Sequence, residues 1–213
     1  MKLNTGVVLL VAYTCVVLGT TQVKSEDQCD FSGVNAERMI TNILRKLPSS
    51  YTDPDMRPGE IFLGITLGAP VLKGANIFKL YGPVSTYCRD DDRLVKVDIV
   101  ADYPMEFSAP WKICSGKEGV VGIHGTARVT VTFEVANATA QDEANTERKL
   151  VLDGELMPVN ARVNAVYLRG AGEILQNVVG ASRIFLPGIS AEVWESTMKF
   201  VLRKMLKEAT EHS

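Results

Sequence analysis

Residues 121–135, VGIHGTARVTVTFEV, alternate without a break. Val121, Ile123, Gly125, Ala127, Val129, Val131, Phe133 and Val135 fall on one side; Gly122, His124, Thr126, Arg128, Thr130, Thr132 and Glu134 fall on the other. A period of two marks a strand with one buried face. A strand this long keeps its apolar side chains out of water only under a second layer, so the identity of that layer constrains both fold and function.

Helical periodicity flanks the strand region on both sides. Ala36, Met39, Ile40, Ile43, Leu44 and Leu47 recur every three or four residues, with Ser32 or Asn35 placed to cap the start and Pro48 to end the helix. YTDPDMRPGE reads as a linker. Strand patterns then occupy 59–67, 73–81 with Gly82-Pro83 bending the chain, and 93–103. Tyr103-Pro104 reads as a turn, with 106–114 returning; 121–135 follows, then 148–156 and 159–169 on either side of Met157-Pro158. Asp90-Asp91-Asp92 lacks the alternating ligands and the glycine of a calcium loop and reads as a solvated turn. Helical spacing resumes over Gly172–Leu186 and after Ser190, which is placed to cap the last helix. There Trp194, Thr197, Met198, Val201, Leu202, Met205, Leu206 and Ala209 form a broad apolar stripe, and Lys199, Arg203, Lys204 and Lys207 form a solvated opposite side. The expected fold class is α+β: a long curved antiparallel β-meander wrapped around amphipathic N- and C-terminal helices. The apolar face of 121–135 is then expected to lie on those helices.

The first 25 residues have the layout of a secretory signal peptide: Lys2, an apolar run from about Gly6 to Gly19, then a small residue, Ser25, at the cleavage point. That run is shorter than the roughly twenty residues a spanning helix needs, and no later segment is long and apolar enough, so no transmembrane segment is expected. One domain, 26–213, and a secreted, extracellular location follow. Of 23 basic residues, removal of Lys2 and Lys24 leaves 21 against 25 acidic, a net charge of −4, which argues against nucleic-acid binding. In an oxidising compartment Cys29, Cys88 and Cys114 are expected to form one bridge. Cys88–Cys114 is the favoured pair, at one end of a three-strand meander, with Cys29 free or linking two chains as a homodimer; Cys29–Cys88 and Cys29–Cys114 stay open. Asn137-Ala138-Thr139 is a glycosylation sequon in a polar loop.

Nothing in the chain points to catalysis. Gly-x-Ser-x-Gly and Cys-x-x-Cys are absent, and the two histidines, His124 and His212, fall on a polar strand face and in a terminal tail. No enzyme activity, cofactor or metal site is expected. What the residues do offer is an apolar interior. Val97, Ile99, Ile123, Val129, Val131 and Phe133 from the sheet face Ile40, Ile43 and Leu44 of the first helix and Trp194, Met198 and Val201 of the last. These side chains are the candidate wall for a lipid or other small apolar ligand, although a close-packed core has the same composition. The alternative is a secreted interaction or immune-related protein without a ligand, acting through its surface.

The order of these elements also carries a resemblance. A signal peptide, an amphipathic helix ended by a proline-bearing linker, an uninterrupted meander, then LRGAGEILQNVVGASRIFLP and the long helix ISAEVWESTMKFVLRKMLKEATEH resemble the group 7 mite allergens. Those proteins are similar to the arthropod juvenile-hormone-binding and takeout-type proteins, and to one domain of the bactericidal/permeability-increasing and lipopolysaccharide-binding proteins. The paired cysteines of the takeout type are missing, since only Cys29 stands near the mature N-terminus, and this favours the group 7 branch. The resemblance implies a tubular fold that binds a lipid or other apolar molecule in a groove between sheet and helix, without chemistry.

Overall fold

The computed structural model describes residues 29–62, 64–136, 148–174, 176–177, 179 and 187–211. The proposed signal peptide, the Asn137 sequon and His212 lie outside them. By its contacts the chain divides into Met1–Asp30 and a larger unit, Phe31–Ser213, and the fold described below is that of the larger unit.

Helix α1, Ala36–Arg45, forms where the periodicity places it. The Asn35 side chain accepts a hydrogen bond from the Arg38 amide at 3.1 Å, satisfying one of the free amides of the first turn. Glu37 in the first turn and Arg45 in the last complement the helix dipole. Its buried residues are Ala36, Ile40, Ile43 and Leu44.

Among the described residues eight strands make one antiparallel sheet: β1 Ser50–Thr52, β2 Gly59–Phe62, β3 Ile65–Leu67, β4 Val71–Lys73, β5 Lys79–Arg89, β6 Asp92–Ile113, β7 Glu118–Ala136 and β8 Lys149–Arg169. A 3-10 turn, Ala75–Ile77, joins β4 to β5. The frame is β6, β7 and β8, of 22, 19 and 21 residues. β7 pairs with β6 on one side and β8 on the other. Along the free edge of β6 the short strands lie end to end: β5 opposite 92–100, β4 opposite 106–108 and β3 opposite 111–113. β1 extends this layer beside β4, and β2 beside β3. Helix α2, Pro187–Glu211, packs against β8, β7 and α1, and α1 packs against β5.

Several expectations from sequence are corrected. Residues 59–67 form a hairpin, not one strand: Phe62 pairs with Ile65, and Gly64 turns the chain at φ +79°, a conformation glycine adopts without a Cβ penalty. Tyr103-Pro104 does not reverse the chain. It lies in a bulge, where Ala101 pairs with Ala127 and Met105 already with Gly125, and β6 runs straight on. Met157-Pro158 likewise does not divide β8, because bulges around it absorb the proline. A proline has no N–H for the ladder and is tolerated in a sheet at bulges. Gly82-Pro83 falls at a third irregularity, between Tyr81 and Ser85, where a bend was expected. Ser190 lies inside helix α2, Pro187–Glu211, and so is not its cap; its hydroxyl donates back to the Pro187 carbonyl at 3.2 Å. Of the helix expected over 172–186, residues 173–174, 176–177 and 179 are helical, and 175, 178 and 180–186 lie outside the described residues.

The cysteine pairing is corrected for the same reason as the turn. Cys88 pairs with Arg93 at the start of β6, while Cys114 follows its last residue. A strand of 22 residues puts on the order of 70 Å of chain between them at ~3.3 Å per residue. The disulfide joins Cys29 to Cys88 within one chain, which removes Cys29 as a link between two chains; Cys114 is free and exposed.

Candidate functional site

All twelve apolar residues singled out in the sequence come together. Ile40, Ile43 and Leu44 of α1, Val97 and Ile99 of β6, Ile123, Val129, Val131 and Phe133 of β7, and Trp194, Met198 and Val201 of α2 are buried in one hydrophobic cluster. The register explains the sheet half. Val97 pairs with Val131, Ile99 with Val129 and Val95 with Phe133, so one face of the β6–β7 ladder is a continuous apolar strip. The α2 half is the stripe read from the sequence, in which Leu202, Met205, Leu206 and Ala209 are buried as well.

Polar atoms inside this cluster are already bonded. Trp194 Nε1 donates to the Thr126 carbonyl at 3.0 Å. The buried hydroxyls of Thr197 and Thr210 donate to the Val193 and Lys207 carbonyls one turn back in the helix, at 2.8 and 2.7 Å. Among the described residues no buried side-chain nitrogen or oxygen lacks a partner.

Two clefts open at its margins, and sequence reasoning singled out neither. One, of about 540 Å³, lies where β8 meets the start of α2 and is lined by Arg162, Val163, Asn164, Pro187, Ser190 and Ala191. The other, of about 440 Å³, lies where α1 begins beside β5 and includes Val34, Ala36, Val84 and Thr86. Both reach the cluster: Ala36 belongs to it, and Val34, Val84 and Val163 pack against it. Finding them required knowing that α2 lies on β8 and that α1 starts beside β5, neither of which has a local sequence signal.

A polar clamp ties α2 to the segment after β1. Lys204 Nζ donates to both carboxylate oxygens of Asp53, at 2.8 and 2.7 Å, and to Asp55 at 2.8 Å. The bond from Lys204 holds the buried Asp53 carboxyl below the usual carboxylate range, and Asp53 in turn raises Lys204. Tyr51 donates to Glu208 at 2.8 Å; burial, then this bond, push its phenol up to about 12.

The opposite sheet face carries polar rows. Tyr167 donates to Glu106, which is 3.6 Å from Lys73, and the His124 ring lies beside that of Tyr167 with centroids 5.2 Å apart. The Tyr167 bond is the main reason the Glu106 carboxyl is lowered. His124 thus lies on the polar face where the sequence places it, half-buried against an aromatic ring. Further along, Arg128 bonds Asp98 and lies over the Tyr81 ring at 4.2 Å, and Thr130 donates to Asp98 at 2.6 Å. Burial would raise Asp98, but the bonds from Thr130 and Arg128 outweigh it and hold its carboxyl low.

No family model matches the chain, and no curated protein matches it either. Among the described residues no helix is long and apolar enough to cross a membrane.

Proposed function

We propose that this is a secreted, non-catalytic binding protein that carries a lipid or other small apolar molecule between a curved sheet and the helices it wraps. The observation that supports this reading is the continuity between the apolar cluster and the two clefts. Each cleft has a volume within the ~300–1,000 Å³ range of ligand pockets, and each touches the cluster, the first through Val163 and the second through Ala36, Val34 and Val84. An apolar chain passing the polar rim of either cleft, Arg162, Asn164 and Ser190 in one and Asn35, Glu37 and Thr86 in the other, would meet the apolar side chains of the cluster. The resemblance to the group 7 mite allergens agrees with such a role. The ligand-free alternative, a protein acting through its surface, has the outward-facing Ile189 and Phe200 of α2 in its favour.

A native mass spectrum and an organic extract of the secreted protein test the proposal. The carrier reading expects a co-purifying apolar molecule, and uptake of an apolar fluorescent probe after its extraction. A protein that yields no such molecule and takes up no probe is not a carrier.

A further inference from the structure

The side of α2 turned away from the sheet is not an ordinary solvated face. Ile189, Val193 and Phe200 are exposed at spacings of four and seven residues, which places them in one row at 3.6 residues per turn, and Phe200 keeps 66% of its surface in water. Along the helix segment that carries Phe200 the charge is of one sign. Ser196–Lys207 contains Lys199, Arg203, Lys204 and Lys207 and no acid, in a chain whose net charge is −2. Lys204 is turned to Asp53 and Asp55. The other three lie on the exposed side with Phe200. Lys199 makes no ion pair among the described residues, Arg203 Nε donates to the Gly154 carbonyl at 3.0 Å, and Lys207 stands 3.9 Å from Glu211. The acids of this helix lie outside the segment: Glu192 and Glu195 before it, Glu208 bonded by Tyr51, and Glu211 after it.

We propose that this face, Phe200 ringed by Lys199, Arg203 and Lys207, docks on a membrane surface bearing anionic lipids. One aromatic and two aliphatic side chains are too few for a stable protein interface, which takes roughly 20–30 residues a side. They suffice for an interfacial helix, where apolar groups enter the acyl boundary and long basic side chains reach up to the headgroups. The cations then add attraction to the anionic surface, about fivefold in affinity for each.

The test is co-sedimentation of the full chain with vesicles of phosphatidylcholine alone, and with phosphatidylserine added in a roughly 3:1 mixture. The expected result is binding to the mixed vesicles only, weakened by high salt. Lys199→Gln with Lys207→Gln should lower it by about 25-fold, and Phe200→Ser should lower it further. These side chains are exposed, so the variants keep the parent's thermal midpoint and its uptake of an apolar probe; loss of docking is thereby separated from failure of the carrier reading. No binding to mixed vesicles, equal binding to phosphatidylcholine alone, or variants that bind like the parent would overturn the proposal. Binding to soluble polyglutamate as tight as to the vesicles would overturn it in favour of an acidic protein partner.

Discussion

The indole of Trp194 in α2 packs on the backbone of Gly125 in β7. A β-carbon at Gly125 would stand 2.5 Å from Trp194 Cε2 and 2.7 Å from the Arg162 carbonyl oxygen of β8. This position is therefore where helix, central strand and edge strand close on one another, and the missing side chain is what permits it.

Gly125→Ala should destabilise the protein by about 1–3 kcal/mol, because one of the obstructing atoms is backbone that a rotamer change cannot move. Gly59→Ala, where a β-carbon meets nothing within 4 Å, should stay within about 0.5 kcal/mol of the parent. Urea unfolding of the two variants beside the parent checks both.

Gly125 also marks how far the sequence could be read. Its place on the apolar side of β7 was legible from the alternation, and so were the buried faces of α1 and α2, because each rests on a period of two or 3.6 that a single chain displays. The indole above it was not legible, since that contact depends on which turn of α2 crosses which rung. The bulges were hidden for another reason. Tyr103-Pro104 and Met157-Pro158 carry the same residue signal as true turns, and only the partner strand decides whether a proline ends a strand or sits in a bulge. The error in the cysteine pairing descends from that one ambiguity.

The Asp53–Lys204 clamp sets an acid dependence. Asp53 titrates lower in the folded chain than the ~3.9 of an unfolded aspartate, so its stabilisation is complete above about pH 4 and is lost as pH falls through the folded value. Asp53→Asn should lower the thermal midpoint at pH 7 and shrink the further fall on acidification. Tyr51 gives the opposite sign at the other end. Its pKa is raised to about 12, so its contribution is complete below about pH 10 and is lost as pH rises from there toward 12. In Tyr51→Phe that alkaline loss should be absent, with midpoints measured across the pH range in both variants.

Disulfide chemistry offers a direct check of connectivity. Non-reducing peptide mapping should return a Cys29–Cys88 linked peptide, and the folded, unreduced protein should take up one equivalent of a thiol reagent at Cys114. Reduction should lower stability by about 2–4 kcal/mol. A linked peptide containing Cys114 would contradict the pairing.

Val131 separates a carrier from a domain packed only for stability. It is fully buried, opposite Val97 in the ladder, within the cluster shared by both helices. Val131→Ala removes two methyl groups from that cluster and should cost on the order of 1–3 kcal/mol through lost burial and the void left behind. An apolar ligand that enters the cluster refills the void and stabilises the folded state by mass action, about 2.7 kcal/mol at a free concentration 100 times Kd. If the protein is a carrier, an apolar fluorescent probe raises the midpoint of the parent and raises that of Val131→Ala by more, because the variant has more space to fill. A core that serves packing alone shows the same initial loss and no recovery. Thermal unfolding of both proteins with and without the probe decides between them: a destabilised variant that the probe does not rescue, from a parent that takes up none, leaves the surface of α2 as the functional face.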